Sequence, residues 1–590
     1  MKRTHTCGEL KKEDIDKEVI ICGWVQKRRD HGGLIFIDLR DRYGRTQVVF
    51  DPETSKEAHE ISERLRREWV IEITGKVRAR PEGMTNPKLA TGEIEIITSQ
   101  VTVLNESETP PMEIEDDIDV SDDFRLKYRY IDLRRDVMKD KLIIRHKAAQ
   151  AVREYLTSQN FMEIETPLLV KTTPGGARVF KTCSRVHPGK FYSLPESPQM
   201  YKQLLMVAGM DRYFQIARCL RDEDLRADRQ PEFTQIDLEM SFVEPEDVQD
   251  IVEGIIQHTF KKVLGINLKL PFKRISYHEA MSKYGSDKPD LRLGLEFKDV
   301  TEICSHSDFG VFKSAIEKDT GVVIALTVPD GAKFSRKEID RINDVAKTYH
   351  LPGIAWAKVV DGKLESSITK YLNETVQKQL IEKSEAKDGD LLLFAAHEFL
   401  KATTAMGEVR MHLGRKLNLM DPDEFNFCWV VDFPLYEWNE DEEKWAAMHH
   451  IFTMPKEEDI RYLEEDPGKV RGKLYDITLN GTELGGGSVR IHRKDIQIRC
   501  LKPLGLSFEE AEKKFDFLVN AFKFGAPPHG GIALGFDRFV ALMNKTNDIR
   551  EVIAFPRNKA MENPLDGSPQ EWTPEFLEEV HMKVNIVKKK

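Results

Sequence analysis

Arginine and carboxylate side chains are concentrated in residues 212–242, between two strand-like runs. The second run, 233–242, alternates polar and apolar residues with period two, as expected for a β-strand. The first run ends at Arg221, and Glu223 and Arg229 follow in the loop. A planar guanidinium suits phosphate oxygens, and a carboxylate can accept from the amino group of a base. The stretch therefore predicts a hairpin that binds a nucleotide, although a half-buried hairpin with a solvated polar face fits the same pattern.

Two later stretches carry complementary chemistry. Asp476 and Glu483 are hard oxygen ligands of the kind that Mg²⁺ prefers. The glycines at 485–487 fit either close approach of a ligand to the backbone or a plain β-bulge. Arg490 and Arg538 add two more guanidinium groups, the second in a predicted helix that could also be buried core with an exposed arginine.

Composition limits the class of protein. The chain has 590 residues, a net charge of −11, 32% charged and 40% hydrophobic residues, which favours several soluble globular domains. No run of apolar residues is long enough for a membrane span, and the N-terminus lacks the apolar core of a secretory signal. The seven cysteines form no Cys-x-x-Cys pair, so we expect reduced thiols and a cytoplasmic location. His449 and His450 could be half of a metal site, but no third ligand lies at a useful spacing.

Residues 1–105 contain short strands, one helix and then further strands, a pattern that predicts a five-stranded OB barrel. Such barrels bind single-stranded nucleic acid by stacking bases on aromatic side chains beside basic ones. The residues that could act in this way are Lys27, Arg28, Arg29, Phe36, Arg40 and Gln47. The alternative is that Phe36 belongs to the barrel core and the basic residues are merely solvated.

The central stretch resembles the second signature motif of class II aminoacyl-tRNA synthetases. It reads Arg221-Asp222-Glu223, then a loop, then Phe233-Thr234-Gln235-Ile236-Asp237, and Gly535-Phe536-Asp537-Arg538 resembles the third motif. The helix near 139–159 and the predicted strand 161–169 resemble the first, which builds the dimer interface in that family. Along essentially its whole length, the amino-acid sequence resembles those of bacterial-type aspartyl-tRNA synthetases.

The resemblance implies a multidomain α+β fold: an N-terminal OB-fold barrel, and an antiparallel-sheet catalytic domain that carries an inserted α+β domain. The expected boundaries are 1–105 for the anticodon-binding barrel, 106–138 for a hinge, 139–290 and 413–560 for the catalytic domain, 291–412 for the insertion, and 561–590 for a C-terminal extension.

The resemblance also implies residue roles. Arg221, Glu223 and Arg538 would be catalytic. The aspartate site would contain Gly175, Gln199, Met200, Tyr201, Lys202, Arg221, Asp237, His449 and Arg490. The ATP site would contain Arg221, Asp222, Glu223, Gln230, Glu483, Gly535, Phe536, Asp537 and Arg538. Mg²⁺ would accompany ATP on Asp476 and Glu483, with no tightly bound cofactor. Arg490 is expected to contact the substrate side-chain carboxylate through two hydrogen bonds, with Lys202 as the second cation.

Two positions depart from the family pattern. Gly175 stands where many members have Glu in contact with the substrate amino group, and Glu196 stands where Gln is more usual. The departure puts that one contact in doubt and leaves the substrate class unchanged.

Phe36, Gln47 and Glu95 match family positions that contact the anticodon. His31 and Gly83 resemble the form that charges both tRNA-Asp and tRNA-Asn, whereas the tRNA-Asp-specific form resembles Leu and Lys there. Ordinary loop variation in a strictly tRNA-Asp-specific enzyme is the alternative.

Two other functions fit parts of the chain. One is an asparagine-type synthetase or a related amidoligase without tRNA, against which the OB barrel argues. The other is a catalytically inactive tRNA-binding paralogue, which predicts loss of motif residues such as Arg221 or Arg538 that are present here. The expected assembly is a homodimer that uses L-aspartate and ATP.

Overall fold

The computed structural model describes residues 3–172, 177–225, 228–440, 442–514 and 516–586. The chain divides into two compact units, Met1–Ile143 with Ala554–Gln570, and Ile144–Ile553 with Glu571–Lys590. Among the described residues, no helix combines the length and apolar character that a membrane crossing needs.

The first unit contains a five-stranded barrel. Its elements are β1 (Glu18–His31), β2 (Leu34–Arg40), β3 (Arg45–Phe50), α1 (Lys56–Arg64), β4 (Val70–Ala79) and β5 (Ile94–Asn105). The barrel is closed in the order β1-β2-β3-β5-β4. Ile35, Ile37 and Leu39 alternate into its core, and Phe36 lies between them on the outer side because successive strand residues face opposite ways. The alternative that buries Phe36 in the core is therefore wrong.

The segment after the barrel has a small core of its own. Its helices are α2 (Asp122–Lys127), α3 (Arg129–Asp132) and α4 (Asp136–Ser158). Met112, Ile114 and Ile131 are buried together. The buried carboxylate of Asp132 accepts hydrogen bonds from Arg125, Arg129 and Arg135 at 2.6–3.1 Å. This acidic stretch is therefore an ordered structural segment as well as a spacer.

The second unit is built on one large sheet. The elements before the insertion are β6 (Met162–Glu163), β7 (Lys181–Cys183), β8 (Phe191–Ser193), α5 (Gln199–Val207), β9 (Arg212–Leu220), β10 (Glu232–Ser241), α6 (Pro245–Leu264), β11 (Lys273–Ser276) and α7 (Tyr277–Tyr284). The strand predicted within 161–169, with Pro167 as its end, is shorter than expected: it ends at Glu163, and the chain leaves the sheet ahead of Pro167.

The insertion has its own five-stranded sheet. Its elements are β12 (Phe297–Asp299), α8 (Thr301–Ser305), α9 (Gly310–Ile316), β13 (Gly321–Val328), α10 (Arg336–Thr348), β14 (Ala355–Val360), β15 (Lys363–Glu365), α11 (Glu374–Lys383), β16 (Leu391–Glu398) and α12 (Phe399–Lys416). The sheet order is β12-β13-β16-β14-β15, which confirms the α+β character predicted for this part of the chain.

The chain then returns to the large sheet. The remaining elements are β17 (Phe427–Val431), β18 (Tyr436–Asn439), β19 (Lys444–Ala447), β20 (Leu474–Leu479), β21 (Thr482–Val489), α13 (Lys494–Leu501), α14 (Phe508–Lys514), α15 (Asp516–Phe522), β22 (His529–Gly535), α16 (Phe536–Met543) and α17 (Pro574–Glu579). The eight strands are ordered β11-β17-β20-β21-β22-β10-β9-β6, and all neighbours are antiparallel except β11–β17 and β6–β9.

Strand β10 lies near the middle of this sheet, and both of its faces are covered. Its apolar residues join the main core under α4 and α6. Its polar residues Gln235, Asp237 and Glu239 are at most 9% exposed. The predicted alternation is confirmed, but the polar face is buried inside a site and is not solvated.

Candidate active site

One cleft of about 520 Å³ opens above β9, β10, β21 and β22. Arg221 enters it from the end of β9, Glu483 from β21 and Arg538 from the first turn of α16. Glu223 and His449 also line it. Residues predicted from separate stretches of sequence are thus brought to one place.

Two arginines present unused donors to this cleft. The guanidinium of Arg221 lies 5.0 Å from the ring centroid of Phe233, and its buried Nε has no hydrogen-bond partner among the described residues. Arg538 donates through Nη1 to the Glu483 carbonyl at 2.5 Å and lies 3.4 Å from Asp228, while its Nε likewise has no described partner. Buried donors without acceptors are costly, so an anionic ligand with several oxygens suits this arrangement.

The loop after β9 forms the open side of the cleft. Glu223 pairs with Arg229 at 3.4 Å, and the backbone N–H of Asp222 donates to the Arg178 carbonyl at 2.7 Å. Gln230 is buried beneath the loop. The carboxylate of Glu223 faces the cleft and can accept from an amino group of a bound base.

The floor of the site is a buried network of four charged groups. Lys202 donates to Asp237 at 2.8 Å and lies 3.2 Å from Glu239. Arg490 donates to Glu239 through Nε at 3.0 Å and Nη2 at 3.2 Å. None of the four side chains is more than 2% exposed. Two cations and two carboxylates therefore compensate one another below the cleft.

The partners of Arg490 differ from the predicted ones. Its Nε–Nη2 edge is occupied by Glu239, and Nη1 lies 2.6 Å from both the Ser488 hydroxyl and Nε2 of His450. A substrate contact through two hydrogen bonds cannot use the Nε–Nη2 edge in this arrangement. Sequence reasoning missed Glu239 as a partner, although it stands two residues after Asp237 on the same strand face.

Burial sets the protonation of this network. It raises the pKa of Asp237, against the effect of Lys202. Burial alone would also raise the pKa of Glu239, but Arg490 and Lys202 outweigh it and the net shift is downward. Burial, and then Arg490, hold the pKa of His450 well below its usual value. The imidazole is therefore neutral near pH 7, so it can accept a hydrogen bond from the guanidinium.

Asp476 and Glu483 lie together beside His449. Asp476 Oδ1 is buried without a described hydrogen-bond partner, and its Oδ2 lies 3.8 Å from His449 Nε2. Burial and then the charge of Glu483 raise the pKa of Asp476 well above its usual value. A Cβ on Gly486 would lie 2.3 Å from Asp476 Oδ1, so this glycine makes room for the carboxylate.

These features fit a cation held jointly by protein and substrate. Among the described residues, no group of three His, Cys, Asp or Glu side chains could by itself hold a metal ion. Mg²⁺ in nucleotide sites commonly uses one or two carboxylates together with phosphate oxygens, so the pair Asp476 and Glu483 is sufficient.

The start of α16 is tied to the sheet by a buried carboxylate. Asp537 accepts from the backbone N–H of Thr234 at 2.6 Å and from Arg145 of α4 at 2.6 Å. Arg145 also lies 4.9 Å from the ring centroid of Phe536. The side chain of Asp537 therefore holds its neighbours Gly535 and Arg538 in place at the cleft, and this matters more than its own exposure there. No local sequence signal pointed to Arg145, which is 392 residues away from Asp537.

The predicted amino-acid side of the site lies on α5. Gln199, Met200, Tyr201 and Lys202 form its first turn, and the buried Nε2 of Gln199 has no described partner. Gly175 lies outside the described residues. Glu196 accepts from the backbone N–H of Ala177 at 3.2 Å, and burial raises the pKa of this carboxyl.

The outer face of the barrel forms a second candidate site. Gln47 donates to Glu95 at 2.7 Å, and Arg78 donates to the other oxygen of the same carboxylate at 2.7 Å. Arg29 pairs with Phe36 across the β1–β2 ladder and donates to Gln47 at 3.2 Å. An aromatic ring beside ordered polar side chains is the arrangement that stacks and reads single-stranded bases.

The two discrimination positions lie at the edge of this barrel. His31 is the exposed last residue of β1. Gly83 has φ 78°, and a Cβ there would meet nothing within 4 Å. A side chain at Gly83 would have space but would strain the backbone.

Comparison with known proteins assigns a family to each of two parts of the chain. Residues 121–559 match the family of class II tRNA synthetases (D, K and N), and residues 19–104 match the OB-fold nucleic acid binding domain. The Aspartate--tRNA(Asp/Asn) ligase of Caldanaerobacter subterraneus subsp. tengcongensis is 52% identical over 586 residues, 99% of both chains. That of Aquifex aeolicus is 51% identical over 595 residues, 99% of this chain and 98% of the other.

Solved structures show the same fold at low identity. Asparaginyl-tRNA synthetase from Pyrococcus horikoshii, complexed with asparaginyl-adenylate, superposes with a TM-score of 0.58 at 18% identity, and the match covers 94% of this chain and 98% of that one. The sequence match covers most of the chain, residues of the second and third motifs line one cleft, and the first unit contains an OB barrel. The chain therefore belongs to the class II aminoacyl-tRNA synthetases of the D, K and N group.

Proposed function

We propose that the chain activates L-aspartate with ATP and transfers the aspartyl group to the 3′ end of tRNA-Asp and tRNA-Asn. The observation that carries the proposal is that Arg221 and Arg538 line one cleft with buried Nε donors that have no hydrogen-bond partner among the described residues, above a floor containing Lys202. The names of the relatives, Aspartate--tRNA(Asp/Asn) ligase, support the choice of amino acid and of both tRNAs.

In the first step the aspartate α-carboxylate attacks the α-phosphorus of ATP, and pyrophosphate leaves. No covalent bond to the protein forms, so positioning and charge neutralisation supply the rate. Arg221 neutralises the α-phosphate, Glu223 accepts from the adenine amino group, and Arg538 binds the γ-phosphate. Mg²⁺ on Asp476 and Glu483 would neutralise phosphate charge as ATP loses pyrophosphate.

In the second step the terminal ribose hydroxyl of tRNA attacks the carbonyl carbon of the aspartyl group, and AMP leaves. The α-carboxyl carbon gains a bond to the ribose oxygen and loses its bond to the bridging oxygen, which leaves with AMP, and the hydroxyl proton is released. The barrel face around Phe36, Gln47 and Glu95 would bind the anticodon of the same tRNA.

Selection of aspartate follows from the floor network. The substrate ammonium would approach Asp237, and its side-chain carboxylate would approach Lys202 and the Nη1 side of Arg490. Asparagine brings no charge to these cations, so a site built to pair them binds it poorly.

The first motif supports a homodimer. Strand β6 ends the large sheet, and Met162, Leu168 and Leu169 beside it are 50–56% exposed. Large apolar side chains next to a sheet edge suit burial against a second copy of the chain. Light scattering on the purified protein would test this, and a monomer at micromolar concentration would contradict it. A cytoplasmic location belongs to the same proposal.

The deciding experiment uses separate transcripts of tRNA-Asp and tRNA-Asn with labelled aspartate. We expect aspartyl-adenylate without tRNA and aspartylation of both transcripts. Charging of tRNA-Asp alone would favour the strictly tRNA-Asp-specific enzyme. Absence of aspartyl-adenylate would refute the proposed reaction.

A further inference from the structure

A cavity of about 670 Å³ lies between strands β1–β3 of the barrel and the segment 114–136 that follows it. Both walls belong to the same compact unit. The cavity does not include Phe36, Gln47 or Glu95, the predicted anticodon contacts, although basic residues predicted to bind nucleic acid, such as Arg28, line it.

Basic side chains dominate its walls. Six arginines line it, Arg28, Arg29, Arg40, Arg45, Arg67 and Arg134, together with Lys27. The lining acids are fewer: Asp38, Glu115, Asp116 and Asp136. Arg40 and Arg134 also share a single carboxylate, that of Glu68, at 2.8 and 2.7 Å. One carboxylate between two guanidinium groups leaves a local excess of positive charge.

Arg40 adds an observation independent of the charge count. Its side chain is only 5% exposed, and both short contacts to Glu68 come from Nη2. Its Nη1 is buried without a hydrogen-bond partner among the described residues. A buried guanidinium N–H in the wall of a polar cavity requires an acceptor, and an anionic oxygen is the strongest one available to it.

The cavity is continuous with the anticodon face through Arg29. This side chain lines the cavity, donates to Asp38 at 2.7 Å, and donates to Gln47 at 3.2 Å. A single strand whose bases lie on Phe36 and Gln47 therefore has its backbone next to the cavity mouth. The ligand chemistry at that place is a phosphodiester oxygen.

We propose that this cavity binds a backbone phosphate of the tRNA whose anticodon lies on the barrel face. The inference rests on the proposed function, and it adds a site that holds the RNA without reading its sequence. The contact positions the tRNA and contributes equally for tRNA-Asp and tRNA-Asn, while the bases on the neighbouring face supply the specificity.

The test uses the full chain and measures dissociation constants for both transcripts at several KCl concentrations. Arg40→Gln should weaken both tRNAs by the same factor, roughly 3- to 10-fold, and lower the slope of log affinity against log salt by about 0.7–0.9 for each lost phosphate contact. Arg40 also forms a buried ion pair with Glu68, so its substitution could destabilise the barrel. A second variant therefore combines Arg45→Gln and Arg67→Gln, because these two side chains are more exposed. Lys76→Gln is the matched control, because Lys76 is an exposed barrel cation that does not line the cavity.

Aspartate-dependent pyrophosphate exchange should be unchanged in all three variants, since it needs no tRNA. An unchanged salt slope in Arg40→Gln and in the double variant, with wild-type binding intact, overturns the inference alone. If the wild-type protein binds neither transcript, the proposed function is overturned as well. Thermal melting in inorganic phosphate at constant ionic strength distinguishes a tRNA backbone phosphate from a free anion. If phosphate raises the melting temperature of the wild type and Arg40→Gln abolishes this rise, the cavity binds a free anion and the assignment to RNA is overturned.

Discussion

Replacement of Glu239 by glutamine tests the buried network most directly. The carboxylate accepts from Arg490 Nε at 3.0 Å and Nη2 at 3.2 Å, and Lys202 lies at 3.2 Å. An amide of the same shape keeps one acceptor oxygen and directs an NH₂ group at these cations. The variant therefore loses charge-assisted hydrogen bonds without creating a cavity.

The expected cost follows from those contacts. A hydrogen bond to a charged group contributes about 1.5–3 kcal/mol, and breaking a buried pair costs about 3–5 kcal/mol in total. If about 2–4 kcal/mol of this falls on the aspartate site, kcat/KM for aspartate drops roughly 30- to 1000-fold. The KM for ATP should change little, because Glu239 does not line the ATP cleft.

The assay is aspartate-dependent ATP–pyrophosphate exchange with each substrate varied in turn. Glu232→Gln is the matched control: it lies on the same strand, but its pair with Arg218 at 2.9 Å is exposed and should contribute less than about 1 kcal/mol. A Glu239→Gln enzyme with kcat/KM for aspartate within about threefold of the wild type, below 1 kcal/mol, would refute the reasoning.

Three further predictions concern neighbouring features. Arg145→Gln should raise the KM for ATP about tenfold through loss of its buried contact to α16. Arg153→Gln on the same helix is the control and should leave this KM unchanged. Equal KM values for the two variants would contradict a positioning role for Arg145. Gly486→Ala should abolish exchange because its Cβ would meet Asp476 Oδ1 at 2.3 Å, and a folded, active variant would disprove the steric argument. Burial and the adjacent guanidinium lower the pKa of His450, so the unfolded chain binds a proton there below about pH 6.5 that the folded chain does not. Stability should therefore fall with decreasing pH, by up to about 1.4 kcal/mol per pH unit, and the melting temperature of His450→Gln should fall less between pH 7.5 and about 5.5; an identical fall would exclude this contribution.

Local patterns predicted the fold well where the hydrophobic period was clear. The alternation of β10, the helix α4 and the barrel strands were all recognisable, because strands and amphipathic helices have characteristic periods in the sequence. For the segment 106–138 the sequence predicted only a hinge. Its acidic composition conceals a buried carboxylate, that of Asp132, which organises three arginines.

The residues of the candidate site also fall into two groups, those that the sequence could predict and those that it could not. Arg221, Glu223 and Arg538 are recognisable because they stand in motifs with characteristic neighbours. The Arg490–Glu239 pair spans 251 residues, and Arg145 lies 392 residues from Asp537. Such pairs depend on tertiary packing, which no local pattern reports. Glu239 is the exception, since strand alternation already placed it beside Asp237.

Strand β10 carries the polar groups of the candidate site on one side and core side chains such as Ile236 and Leu238 on the other. A substitution at Asp237 or Glu239 that alters the amino-acid preference would therefore also alter the folding stability. Redesign towards another substrate has more freedom at the segment bearing His449, which lines the cleft from outside the strands. The centre of the sheet thus limits which new specificities this enzyme could acquire by single substitutions.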